Sequence, residues 1–271
     1  MVQESRVLPH QLVRQVIPAG LGLAFAASSL MATPASPALA GPAPAACPAF
    51  PEAAAFVARI DNRYMPLLPG STYIYEGQED GVAQRTVVEV THDTRTILGV
   101  EAVVVRDTVS DSRGELIEQT LDWFAQDDAG NVWYMGEDTR EFENGQVVST
   151  KGSWEGGLNG AQPGIIMEAE PNAGDAYQQE CAPPDAVDEA QVEALDATVK
   201  TPYGDYANAL RTREWTPLEP GVAENKFYVP CIGLVNTVTV EGGQGSTSLV
   251  DVQNAPSPAE LGCAADAPAQ P

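Results

Sequence analysis

Between residues 72 and 252 the chain is a succession of short runs in which β-branched and aromatic residues alternate with polar ones. That period of two marks strands with one buried face. Residues 72–76 and 85–91 form a predicted hairpin around Glu79-Asp80-Gly81, and residues 96–98 and 100–109 follow, split at Gly99. Asp111 to Gly114 then turns the chain into residues 115–124, Asp127 to Asn131 leads into 132–135, and Glu143-Asn144-Gly145 leads into 146–149. Short alternating runs joined by Asn-Gly or Asp/Gly turns describe an antiparallel meander. An irregular stretch, residues 152–179, precedes a second group of strands at 190–195, 198–201, 207–215, 224–229, 233–240 and 247–252. No apolar pattern of period 3.6 is sustained over a long helix, and residues 185–194 alone suit a helical turn or a strand equally. The expected fold is mainly β: a single curved antiparallel sheet or half-barrel, covered on its concave face, with few short helices. A β-sandwich is the alternative, and the lack of crossover helices argues against a parallel α/β fold.

The ends read differently. Arg6 and Arg14 precede the apolar run 17–32, and Ala38-Leu39-Ala40 offers a small-x-small cleavage site before Gly41, the pattern of a secretory signal peptide. The run is shorter than the ~20 residues a spanning helix needs and contains Pro18. Pro44-Ala45-Ala46-Cys47 has the outline of a lipid-attachment motif, but Pro44 stands where a branched apolar residue belongs. The domain reading is a signal peptide at 1–40, a Pro/Ala-rich disordered segment at 41–55, a single β-rich domain at 56–252 and a disordered tail at 253–271 held by Cys263. The expected location is periplasmic or extracellular.

Charge narrows the partners. The formal charge is −24, and removing Arg6, Arg14 and Glu4 with the leader makes it −25. Nucleic acids and anionic membrane surfaces need a basic footprint that this chain lacks, whereas self-repulsion suits a protein kept in solution. The four cysteines, Cys47, Cys181, Cys231 and Cys263, all lie after the leader. An even number in an oxidising compartment implies disulfides, and three pairings are open. Because Cys47 and Cys263 lie in the two terminal segments, and termini often approach one another, Cys47–Cys263 with Cys181–Cys231 is the favoured arrangement.

Three blocks, residues 121–138 (LDWFAQDDAGNVWYMGED), 152–167 with its GSWEGG and PGIIM runs, and 201–221 with TPYG and EWTPLEPG, carry a resemblance together with residues 226–235. They resemble a family of secreted bacterial proteins whose activity is not established, over most of residues 60–240. The likeness implies export but no reaction. Asn225 stands where the family carries His, which removes the residue for any metal or acid–base role there. Cys231 stands where it carries Gly, which implies recruitment to a bridge. The second half is also similar in pattern to the half-barrel of lipoprotein-carrier proteins, an expectation about fold alone.

Candidate chemistry is sparse. There is no G-x-S-x-G elbow, P-loop or dinucleotide fingerprint, and His92 is the one histidine after the leader. Asp127-Asp128-Ala129-Gly130-Asn131 lacks the ligand spacing of a calcium loop and reads as a turn, so calcium enters only as a stabilising ion. Trp133 and Tyr134 sit on a strand followed by the carboxylates Glu137 and Asp138, expected to begin a turn. The long loop brings Trp154, Ile165, Ile166 and Met167 to where a curved sheet would be lined or plugged. Glu214, Trp215, Glu219, Glu224 and Lys226 gather carboxylates around an aromatic. The function these suggest is a non-enzymatic exported protein binding an apolar small molecule or lipid through Trp133, Tyr134, Trp154, Ile165, Ile166, Met167 and Trp215. The rivals are an extracellular hydrolase working through Asp/Glu pairs and a calcium-stabilised module.

Overall fold

In strands, alternation decides which residues face one another, and the computed structural model, which describes residues 46–257, 260, 261 and 263, follows it closely. The predicted leader and its cleavage site lie outside the described residues. Eighteen strands occur among those described: β1 (Phe56–Val57), β2 (Ile60–Asp61), β3 (Pro66–Leu67), β4 (Thr72–Glu79), β5 (Val82–Ile97), β6 (Val100–Asp111), β7 (Leu116–Asp127), β8 (Val132–Glu143), β9 (Gln146–Ser149), β10 (Trp154–Glu155), β11 (Gln162–Met167), β12 (Ala176–Gln178), β13 (Glu180–Cys181), β14 (Glu189–Thr201), β15 (Gly204–Trp215), β16 (Ala223–Val229), β17 (Gly233–Glu241) and β18 (Gly245–Gln253). The one helical element among them is a three-residue 3₁₀ turn at Ala53–Ala55. Of residues 185–194, open between helix and strand in the sequence, 189–194 lie in β14, and the preceding four belong to the turn and loop in which Ala186 bridges to Ala182.

All but β2 and β3 belong to one sheet, whose main path runs β12-β14-β15-β16-β17-β18-β4-β5-β6-β7-β8-β11-β13. The two ends of that path, β12 and β13, are separated along the chain by Gln179 alone. One short segment therefore pairs with β14 on one side and β11 on the other, and the sheet nearly closes into a barrel. Gly164 in β11 makes the seam close: a Cβ there would collide with the backbone of Gln178 and Gln179.

Val103 and Val105, Phe124, and Val132 and Tyr134 point into the barrel and join the main core. Their neighbours Ala102 and Val104, Trp123 and Ala125, and Trp133 and Met135 point outward. That outer patch is covered by Phe50 and Phe56, and the Phe50 ring meets Trp133 edge-on at 5.3 Å. Turns alternate between two rims. At one rim the β2–β3 segment inserts Ile60, Met65 and Leu67 into the core. Asn62 anchors this plug by accepting from the Tyr64 and Met65 N–H groups and donating to the Gly130 and Glu168 carbonyls.

The disulfides are not those the sequence favoured. Cys47 bonds Cys181 and Cys231 bonds Cys263, with Cα–Cα separations of 6.0 and 6.2 Å. The physical reason is routing. The N-terminal strap runs across the outer face of β7 and β8 toward the seam, where Cys181 lies in β13 opposite Gln162. The C-terminal tail leaves β18 at the plugged rim, where Gln253 pairs with Thr72 and the β16–β17 turn carries Cys231. Each terminal segment is thus tied to a cysteine of the body. Cys231 itself has φ +64°, a conformation glycine adopts more readily.

Peptide mapping of the oxidised protein is expected to recover Cys47–Cys181 and Cys231–Cys263 and no other pair. Replacing Cys47 and Cys181 by alanine should lower stability by about 4–5 kcal/mol in the chain-entropy model for a loop on the order of 100 residues, measured by urea unfolding.

Candidate functional site

At the rim opposite the plug, the start of β14, the end of β15, the start of β16 and the end of β17 converge on a cleft of about 360 Å³. Its walls are Glu189, Gln191, Arg213, Trp215, Thr216, Pro217, Pro220, Gly221, Val222, Ala223 and Glu241. The register explains the gathering: Glu189 lies opposite Trp215, Gln191 opposite Arg213, and Ala223 opposite Glu241. The 216–222 loop is folded back by bonds from the Glu219 N–H to the Thr216 carbonyl and from the Val222 N–H to the Glu219 carbonyl. It packs on Gly242, where a Cβ would come within 2.6 Å of the Gly221 carbonyl oxygen and 2.7 Å of Val222. Arg213 Nη2 meets Glu241 Oε2 at 2.8 Å across the wall.

Alternation sends Glu214 and Lys226 the other way, into the barrel beneath the cleft. Lys226 is 2% exposed, and its Nζ lies 2.8 Å from Glu214 Oε2. The other Glu214 oxygen accepts from Thr212 Oγ1 at 2.7 Å and Tyr228 OH at 3.2 Å. Burial opposes the Lys226 charge, but the carboxylates of Glu214, Glu224 and Asp188 outweigh it and hold the ammonium above its usual pKa. A second small hollow of about 30 Å³ lies here, bordered by Asp188, Glu214, Glu219, Glu224 and Lys226 as well as Trp215.

Deeper in the barrel, β6, β7 and β8 bring Asp107, Glu118, Asp122 and Glu137 together, all nearly inaccessible to solvent. Glu137 and Asp138, expected to begin a turn, lie within β8 instead. Burial, and then repulsion from Asp107, Glu137, Glu141 and Asp122, pushes Glu118 far above the usual carboxylate range. Burial, resisted by a 2.5 Å bond from Tyr134 OH, raises Asp122 to about 8. Of the four, Glu118 and Asp122 are thereby shifted toward their neutral forms.

The residues singled out in the sequence separate into three places. Tyr134, Trp154, Ile166 and Met167 meet inside the barrel, with Ile165 packed against both the inner and the outer cluster. Tyr134 contacts Trp154 edge-on at 5.5 Å, and Trp154 Nε1 donates to Glu180 at 3.1 Å. Trp133 lies on the outer face, its indole N–H donating to Asp127 at 2.8 Å. That Asp127 carboxylate also accepts from the Asn131 N–H and side chain, so the turn occupies the acceptors of the calcium-like loop. Trp215 alone borders the rim cleft. An apolar cavity on the inner face, beneath Met65, Pro66 and Leu67, measures only about 30 Å³. Among the described residues no group of three His, Cys, Asp or Glu is placed to hold a metal ion. Glu189, Gln191 and Glu241 escaped sequence reasoning because only the β14–β15 and β16–β17 registers bring them to Trp215.

Fold and site together define a nearly closed antiparallel barrel, plugged at one rim and cleft at the other. No family model matches the chain, and no curated protein matches it in sequence. Among solved structures it is similar to a protein of Bacteroides fragilis assigned as exported and as having a YmcC-like fold, at 17% identity, covering 71% of this chain and 100% of that one with a TM-score of 0.43. It is also similar to a protein of Parabacteroides distasonis assigned as a lipoprotein, at 12% identity, covering 71% and 99% of the two chains with a TM-score of 0.39. No helix among the described residues is long and apolar enough to cross a membrane.

Two measurements test the electrostatics. A carboxyl whose pKa is raised by folding holds its proton more tightly in the native state. The stability it contributes is full below the unfolded pKa near 4 and lost as pH rises through the folded value near 8. The thermal midpoint should therefore be higher at pH 5 than at pH 8.5, and Asp122→Asn should flatten that difference. Lys226→Met should cost about 3–5 kcal/mol by stranding the buried Glu214 carboxylate, while Lys226→Met combined with Glu214→Leu should recover most of the loss. Urea titration of the three proteins reads this directly.

Proposed function

We propose that this protein is an exported, non-enzymatic binding protein that takes a small, partly apolar molecule in the rim cleft beside Trp215. The observation that carries the reading is the cleft itself. Its volume falls at the lower end of the roughly 300–1,000 Å³ range of small-molecule sites. Its composition also fits, because an indole, two prolines and a valine give an apolar wall while Arg213, Gln191, Glu189 and Glu241 supply a few polar groups. Export is supported by the leader pattern and by the two disulfides, which suit an oxidising compartment.

The barrel interior, by contrast, is filled by Tyr134, Trp154, Ile166 and Met167. A hydrolytic role for Glu214 finds little support, since its two oxygens are already engaged by Lys226, Thr212 and Tyr228.

Trp215 is partly exposed, whereas Trp123, Trp133 and Trp154 are buried. Benzyl alcohol at millimolar concentration should change tryptophan emission in a saturable way, and Trp215→Phe should abolish the response without moving the thermal midpoint. A strictly linear response, or an unchanged response in Trp215→Phe, would end the reading. Export itself is tested by the intact mass of the secreted product, which should begin at Gly41.

A further inference from the structure

The N-terminal strap is fastened at two places of different kind. From Ala55 onward its backbone is tied to the sheet: the Asp128 N–H donates to the Ala55 carbonyl at 2.7 Å, and β1 pairs with β7 through Phe56 and Val57. Ahead of Ala55 it is held by side chains. The Phe50 ring lies 5.3 Å from Trp133 and 5.2 Å from Phe56, and Cys47 is bonded to Cys181. The 3₁₀ turn between these two fastenings buries no residue. We propose that Cys47–Cys181 is a redox-sensitive latch: an external dithiol opens it, the strap ahead of Ala55 lifts, and the apolar outer face of β7 and β8 is uncovered while the barrel stays folded.

Three observations carry this. The two bridges differ in access, since Cys47 is exposed whereas Cys231 and Cys263 are only 7% and 9% exposed. Exchange requires a thiolate to reach a sulfur, so access separates a labile bridge from an inert one. Cys181 is itself 3% exposed, which directs the attack to Cys47. A thiolate of the dithiol bonds to Cys47 Sγ, the bond to Cys181 breaks, and Cys181 departs as a thiolate that takes up a proton. The second thiolate of the reagent then attacks the mixed disulfide and releases Cys47, so that two electrons pass to the protein and the reagent ends as its own disulfide.

The second observation is what lies underneath. Trp133 belongs to an outward cluster with Ala102, Val104, Trp123, Ala125 and Met135, and Phe50 and Phe56 are packed upon it. Soluble chains rarely leave a contiguous apolar area of this kind open to water. The third is that closure of the barrel does not pass through the strap. Backbone pairing of β12 with β14 and of β13 with β11 joins the seam, and Cys231–Cys263 secures the C-terminal tail separately.

The experiment treats the oxidised exported protein with increasing dithiothreitol at about pH 8, where thiolates form readily, and maps the freed cysteines by alkylation and peptide mass. Cys47 and Cys181 are expected to become labelled at least about tenfold faster than Cys231 and Cys263. In the same samples tryptophan emission should shift to the red and an apolar fluorescent dye should begin to bind, with the far-ultraviolet circular dichroism of the sheet unchanged. Trp133→Phe should remove most of the emission shift and leave the order of labelling as it was.

Equal labelling of the two bridges, or earlier opening of Cys231–Cys263, would overturn the latch. Opening of Cys47–Cys181 with neither emission shift nor dye binding would overturn it too, because the strap would then stay seated without its bond. A shift undiminished in Trp133→Phe would place the change away from the strap, and loss of the sheet signal on reduction would show the bridge holding the barrel; either result equally ends the proposal.

Discussion

The structure depends on one segment serving two edges. Residues 176–181 give their first half to β14 and their second half to β11, and this shared pairing turns an open meander into a nearly closed surface. A sheet edge left open presents unpaired N–H and C=O groups that recruit other chains. Closure also creates an inside, which must then be filled at the packing density of any core. The plug at one rim and the inward carboxyls toward the other are the two fillings this sequence provides, one apolar and one polar.

The polar filling constrains the chemistry. Carboxyls gathered away from water cannot all remain ionised, so burial favours the neutral forms of Asp122 and Glu118, and Asp122 accepts from Tyr134 OH. Near the cleft rim the same problem has another answer, because Lys226 supplies a counter-charge to Glu214. The two solutions sit in one interior, burial favouring neutral acids in the first and an ion pair meeting the carboxylate in the second.

Much of the sheet was legible because the alternation of apolar and polar residues is a local property. The runs at 146–149, 224–229 and 233–240 return as β9, β16 and β17 within a residue of each end. What failed was non-local. Residues 152–179 read as one irregular stretch, yet β11 lies within it and uses the bare backbone of Gly164 to approach the seam. Residues 190–195 and 198–201 seemed two strands, but β14 continues through them with register shifts. The inward placing of Glu118 and Asp122 was not legible, because in a closing sheet the pattern separates two faces without saying which one is inside. Glu214, Trp215, Glu224 and Lys226 could be grouped because one hairpin pairs them. Their companions Glu189 and Glu241 arrive from other strands.

The way each terminal segment is fastened has a topological consequence. Cys47–Cys181 spans 134 residues and Cys231–Cys263 spans 32. A protease that cuts once inside either span leaves every fragment covalently joined, so most exposed turns can be nicked without releasing any part of the barrel. Only the stretch from 182 to 230 can be severed into two separable pieces, and most of it is paired within β14, β15 and β16. Its connections are the seven residues 182–188, the turn at 202–203 and the 216–222 loop that forms the cleft. In a compartment rich in proteases, the loop beside the cleft is therefore one of the few places where a single cut would part the molecule.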